Sequence, residues 1–137
     1  MSGVSAKTKR SVLLAAGVIL IIAIVWLIIL ESTSYTRALS NRINSFGYNS
    51  SPGELNIRSY GNDLKISDVL DKDLSLVTEL SKECGFPADT EKSGQVELAL
   101  WRADSERVMV IYLVDHEPEL AFIENTVTGE VLPINSK

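Results

Sequence analysis

The sequence is poor in the residues that most often carry out chemistry, since its 137 residues include one cysteine and one histidine. A single thiol excludes an intramolecular disulfide framework. Cys84 and His116 are the one pair from which a thiolate–imidazole nucleophile could be built. Because Cys84 falls on the apolar stripe of a predicted helix, where a buried thiol is the common outcome, we expect neither an enzyme nor a cofactor. An envelope enzyme or metal-binding sensor that uses this pair is an alternative.

Spacing typical of a metal site is also missing. Residues 115–119 read DHEPE, but neighbouring residues of a strand point to opposite faces, and zinc ligands usually come from separated elements. An EF-hand loop that began at Asp71 would need glycine and glutamate where the chain has Leu76 and Lys82. We therefore predict a hydrated acidic turn at 115–119 and no metal site.

Positive charge is scarce beyond residue 30. The chain has 13 basic and 18 acidic side chains, and residues 31–137 hold ten of the basic and all eighteen of the acidic ones, a net charge of −8. Binding to nucleic acid requires a basic face that neutralises phosphates. We expect no nucleic-acid partner.

One long apolar run lies near the N-terminus. Residues 11–30 contain no charged side chain, and twenty helical residues cover about 30 Å, the thickness of the hydrocarbon core of a bilayer. Three basic residues precede the run and Glu31 follows it, which predicts that the N-terminus is cytoplasmic. The pattern predicts a cytoplasmic tail at 1–10, a single-pass signal anchor in the lipid bilayer of the cell membrane at 11–30, and an extracytoplasmic remainder. A cleaved secretion signal is the alternative, although its apolar core is usually about 7 to 15 residues long.

The rest of the chain predicts an α+β fold. We expect a juxtamembrane helix and turn over residues 31–53, with Gly47 ending the helix. Residues 54–137 predict a two-layer domain in which one helix, over 68–84, packs on an antiparallel sheet of about four strands. The sequence Gly85-Phe86-Pro87 is typical of a helix end. The predicted strands begin with a short, possible edge strand at 54–60 and continue at 95–101, 108–114 and 120–124, with a further extended piece at 131–134.

Three aromatic residues form a candidate interaction patch. The alternation of its strand places Trp101 on the face opposite Val96 and Leu98. With Tyr60 and Tyr112, Trp101 could form an exposed surface for a protein or glycan partner. The alternative is that Trp101 covers a second small core.

Several short motifs resemble a known family. Phe46-Gly47-Tyr48 after the helix, Pro52, the stretch LSKECGF at 80–86 and SGQV at 93–96 are similar to a family of uncharacterised small single-pass membrane proteins of spore-forming Gram-positive bacteria, known as a domain of unknown function. The resemblance covers residues 35–123. The chain departs from it at 123–125, where the family has Gly-Gly-Asp. The resemblance implies location and architecture, and no activity.

Taken together, these patterns predict a membrane-anchored extracytoplasmic protein that binds another protein of the cell envelope. A pilin-like structural subunit is the alternative, because it would share the order of an apolar helix and an antiparallel sheet. The chain lacks the Gly-then-aromatic processing site before the apolar run and the acidic residue within it that such subunits carry.

Overall fold

The computed structural model describes residues 6–136, with side chains at 17–26 and 35–136. The chain divides into two compact units, Met1–Tyr35 and Thr36–Lys137. Its helices and strands in chain order are α1 (Ala6–Asn44), a short 3₁₀ turn (Pro52–Glu54), β1 (Asn56–Leu64), α2 (Ile66–Val69), α3 (Leu74–Glu83), β2 (Gly94–Arg102), β3 (Arg107–Val114), β4 (Glu117–Asn125) and β5 (Val131–Leu132).

The first unit corrects the predicted membrane anchor. Within the residues that the structure describes, no helix is both long and apolar enough to cross a membrane. The predicted signal anchor at 11–30 and the single-pass, extracytoplasmic placement built on it are therefore wrong, and the structure gives the predicted lipid contact no support. The tail predicted over 1–10 is helical from Ala6 on, and residues 1–5 lie outside the described part.

The end of α1 belongs to the second unit. Its buried residues Leu39 and Ile43 are 3% and 1% exposed. Arg42 donates from Nη2 to the carbonyl of Gly85 at 3.1 Å, which ties the end of α1 to the end of α3. The predicted stop at Gly47 is confirmed, because this residue has a left-handed φ of 94° just after α1.

The fold of the second unit is α+β, with one five-stranded antiparallel sheet in the order β1-β2-β3-β4-β5. The predicted fold class is thus wrong on three points. It included a membrane helix, it had about four strands where the sheet has five, and it had one helix on the sheet where the structure has α2 and α3. The strand number rises because Val131 and Leu132 pair with Glu124 and Ile123 of β4. Residues 61–63, whose sequence Gly-Asn-Asp is typical of a turn, lie inside β1, where the pairing with β2 shifts register twice.

The helix predicted over 68–84 is two helices. Leu70 takes up an extended conformation that ends α2, and the side chain of Asp73 accepts a hydrogen bond from the backbone N–H of Leu76 at 3.2 Å, which begins α3. The stop after this helix is confirmed, since Gly85 has a φ of 84°.

The two faces of the sheet carry alternate residues of each strand, and we name them face A and face B. Face A packs against Ile66 of α2 and Val77 of α3, both 0% exposed. Face B is also largely buried. The strand residues of face A in this core are Val96, Val110, Tyr112, Val114, Leu120 and Phe122. Buried strand residues of face B are Glu97, Ala99, Trp101, Met109, Ile111, Leu113, Ala121 and Ile123.

Candidate functional site

The structure places the three residues of the predicted aromatic patch on different faces. Tyr60 and Tyr112 stack on face A with ring centroids 6.4 Å apart and planes 8° apart. Tyr60 is 44% exposed and Tyr112 is 3% exposed. Burial, with Tyr60 and Asp71 nearby, raises the pKa of the Tyr112 phenol far above its ordinary value. Tyr112 is therefore a neutral core residue, and Tyr60 is the exposed member of the pair.

Trp101 lies on face B, where it is 7% exposed. Its ring meets that of Tyr48 edge-on, with centroids 5.6 Å apart. The Tyr48 hydroxyl donates to the carbonyl of Ile134 at 2.6 Å. Trp101 thus covers the core of face B, which is the alternative that the sequence left open, and the three aromatic residues do not share one surface.

Cys84 and His116, the pair of the alternative enzyme or metal-sensor hypothesis, each have other surroundings in the structure. Nδ1 of His116 lies 2.8 Å from Oε1 of Glu97, a carboxylate whose side chain is 6% exposed. Cys84 is a free, buried thiol at the end of α3. The neighbour that the structure gives to the imidazole is therefore a carboxylate. Within the described side chains, no group of three or more potential ligands could hold a metal ion.

The acidic turn between β3 and β4 has a structural role. Asp115 and His116 have φ angles of 50° and 67°, the pair of left-handed residues that a type I′ hairpin turn requires. Oδ1 of Asp115 accepts a hydrogen bond from the backbone N–H of Gln95 at 3.0 Å. The prediction of a hydrated turn holds for residues 115–117, which are exposed, but Glu119 is 4% exposed and its Oε1 lies 3.6 Å from Nζ of Lys92.

A different candidate site lies on α1, and we name residues 17–26 the apolar segment. Its large side chains, from Val18 to Trp26, are between 47% and 67% exposed, and none of its ten residues is charged or has a hydrogen-bonding side chain apart from the Trp26 indole. Since successive helical residues are about 100° apart, ten residues point in every direction around the axis. The apolar segment is therefore apolar on all sides, a pattern typical of a helix that is buried.

The sheet provides a second candidate, because its two edges differ. At the β4 edge, Ser81 of α3 donates from Oγ to the carbonyl of Ala121 at 3.1 Å and accepts from the Ala121 N–H at 3.0 Å. The N–H of Ala88 donates to the carbonyl of Glu119 at 2.8 Å, and β5 pairs with the rest of this edge. The opposite edge is the outer side of β1, and the predicted edge position of this strand is confirmed.

The sequence analysis assigned the apolar segment to a bilayer and, apart from Tyr60 in the aromatic patch, gave β1 no binding role. The alternation of residues 54–60 indicated an edge strand, but it did not indicate whether another element would cover that edge.

Comparison with known proteins adds no further assignment: no family model matches the chain, and no curated protein or solved structure matches it.

Proposed function

We propose that this chain is a protein-binding module that associates with another protein through the apolar segment of α1. The observation that carries the proposal is the exposure of its eight large apolar side chains, each about half open to solvent. Contiguous apolar surface of this kind marks an interaction site in most proteins. Binding is favoured over catalysis because His116 contacts Glu97 and Cys84 is buried.

The free energy available from the apolar segment is sufficient for association. Full burial of one large aliphatic side chain is worth about 1.5 to 3 kcal/mol, so burying the exposed half of eight such side chains contributes on the order of 6 to 12 kcal/mol. Association costs about 4 to 15 kcal/mol in lost translational and rotational freedom. A partner whose apolar surface is already formed keeps this cost at its lower end, where the apolar contact exceeds it.

The chemistry of the segment indicates its partner. Without ionic side chains, the segment selects by shape and apolar contact, which an apolar helix or groove of the partner provides.

A pilin-like structural subunit is the second candidate. One continuous helix, Ala6–Asn44, carries the exposed apolar segment near its start and the buried residues Leu39 and Ile43 near its end. In such a subunit, the apolar segments of several copies of this chain would cover one another. The protein that contacts the apolar segment, either another protein or a second copy of this chain, distinguishes the binding module from the structural subunit.

Site-specific photo-crosslinking of the full chain in its native cells tests both. Trp26, 60% exposed, is replaced with benzoylphenylalanine, an aromatic residue that suits an exposed position. We expect protein adducts in at least fivefold excess over the same replacement at Val127, which is 74% exposed but lies outside the apolar segment.

Mass spectrometry of the adducts identifies the occupant of the apolar segment. Peptides of another protein joined at position 26 would support the binding module. Peptides of this same chain joined there would support the structural subunit instead. Equal adduct yields at positions 26 and 127 would overturn both.

A further inference from the structure

We propose that the outer edge of β1 binds an extended peptide of another protein, which adds a strand to the sheet and places a carboxylate opposite Arg58. This surface is separate from the apolar segment of α1. The inference therefore stands or falls independently of the proposed function.

The first argument is the difference between the two edges. The β4 edge is closed by Ser81, by the backbone of Ala88 and by β5. In the part of the chain that the structure describes, no hydrogen bond reaches the outer edge of Asn56–Ser59. The backbone groups on that side are available to an added strand.

The second argument is the regularity of this edge. Residues 56–59 pair without interruption with residues 100–97 of β2, while both register shifts of β1 come after Ser59. Bulges, proline and charged side chains are the usual devices that block a sheet edge. The bulges disturb the second half of β1, and the first half contains no proline and one charged residue, Arg58. The charge of Arg58 opposes a basic strand and attracts an acidic one. Four regular residues are left open to a peptide.

The third argument is charge. Arg58 is exposed and pairs in register with Leu98, so its side chain lies on face A. It makes no hydrogen bond or ion pair among the described residues. The guanidinium group of arginine and a carboxylate form a bidentate pair of hydrogen bonds, and this geometry favours an acidic residue in the peptide. The overall acidity of the chain has little effect at this contact, because physiological salt screens charges beyond about 8 Å.

The neighbouring position completes the pattern. Ile57 pairs with Ala99, so it lies on face B and is half-buried. A strand beside β1 presents its residues alternately to the two faces. The favoured peptide therefore has one acidic residue on face A, flanked by apolar residues on face B.

A second copy of this chain fits the edge less well. Antiparallel pairing of two copies about Arg58 would place the two guanidinium groups directly opposite each other. Pairing about Ile57 would place them on diagonal positions of the same face. Like charges across strands are destabilising, whereas a carboxylate at the same place is attracted.

The test is a titration of the ¹⁵N-labelled full chain with two synthetic peptides. One is acetyl-Thr-Val-Glu-Val-Thr-amide, and the other carries lysine in place of glutamate. We expect the glutamate peptide to shift the amide signals of residues 56–59 in a saturable way, and the lysine peptide to bind about fivefold more weakly, as the loss of an exposed ion pair predicts.

Two matched variants make the result specific. Arg58→Glu should reverse the order of the two peptides. Arg102→Glu, at an exposed arginine on the inner strand β2, should leave the order as it is. Equal binding of both peptides, shifts confined to other residues, or an unchanged order in Arg58→Glu would overturn the proposal. Loss of the β1 signals at high concentration of the chain alone would show that a second copy occupies the edge, and would overturn it as well.

Discussion

At the scale of single residues, the turn between β3 and β4 limits which amino acid can occupy the first position of β2. A Cβ atom added to Gly94 would lie 2.6 Å from Oδ2 of Asp115. The Asp115 carboxylate cannot simply rotate away, because it accepts the hydrogen bond from the backbone N–H of Gln95. Glycine at position 94 is thus required by the side chain of a residue 21 positions later in the chain.

We predict that Gly94→Ala lowers the free energy of unfolding by about 1 kcal/mol, the worth of one hydrogen bond, as measured by chemical denaturation. The cost should shrink in the Asp115→Gly background, where the carboxylate is gone and the left-handed φ of 50° suits glycine. Gly53→Ala is the control, because nothing lies within 4 Å of a Cβ there. Equal costs of Gly94→Ala in both backgrounds would contradict this account.

At the scale of elements, α3 closes a sheet edge with one hydroxyl group. The single hydroxyl hydrogen of Ser81 is shared between the carbonyls of Val77, at 2.6 Å, and Ala121, at 3.1 Å, and Oγ accepts from the N–H of Ala121. Ser81 is 0% exposed, so water cannot replace it. The hydroxyl therefore substitutes for a neighbouring strand at this point of β4.

We predict that Ser81→Ala costs roughly 1 to 3 kcal/mol of stability, since it leaves buried backbone groups of Ala121 without partners. Amide exchange at Ala121 should accelerate in the same variant. Ser75→Ala, at an exposed position of the same helix, should change stability by less than about 0.5 kcal/mol. Similar losses in the two variants would show that the Ser81 hydroxyl does not close the edge.

The hairpin between β2 and β3 depends on a charged side chain. Asp104 accepts hydrogen bonds from the backbone N–H of Glu106 at 2.9 Å and from Nε of Arg107 at 2.7 Å. The backbone bond from Glu106, followed by the Arg107 side chain, lowers the pKa of Asp104. The carboxylate thus favours the folded hairpin wherever it is ionised.

We predict an acid dependence of this hairpin with a defined sign. Because the pKa of Asp104 is lower in the folded chain, its contribution is complete above the unfolded pKa of about 3.9 and is lost as the pH falls through the folded value. The amide signals of Glu106 and Arg107 should titrate with a midpoint below the unfolded pKa, and Asp104→Asn should abolish that titration. A midpoint at or above the ordinary value would refute the assignment.

Local patterns in the sequence were enough for the elements that depend on neighbouring residues. The strands predicted at 95–101 and 108–114 correspond to β2 and β3. The helix end at Gly85 was predicted from Gly85 and the two residues that follow it. The break between α2 and α3 was missed, because the apolar stripe continues across it. Pro118, predicted as part of a turn, lies in β4 beside a register shift, a position where proline is tolerated.

The side-chain contacts at the candidate sites could not be predicted from the sequence in the same way. Alternation placed Trp101 on the face opposite Val96, but only the position of Tyr48 determines that this face is covered. Likewise, nothing near His116 in the sequence points to Glu97 as its neighbour. Such contacts join residues that are far apart in the chain, and pattern analysis is limited to those that are close.

At the scale of the whole molecule, the two proposed binding surfaces differ in character. The association proposed for the apolar segment depends on area and shape, so we expect it to persist at high salt. The peptide binding proposed for the β1 edge depends on backbone hydrogen bonds and one ion pair, so its preference for an acidic peptide should weaken as salt rises. Salt therefore separates the two contacts in a single preparation.

The order of the strands also has a consequence for how the sheet forms. Tight turns join β2, β3 and β4, whereas β1 reaches β2 across residues 65–93. Closing a long loop costs more chain entropy than closing a short one, so we expect the three consecutive strands to assemble first and β1 to dock last. The strand whose edge we propose for a partner should then also be the first to detach, and a bound peptide should slow the opening of the sheet.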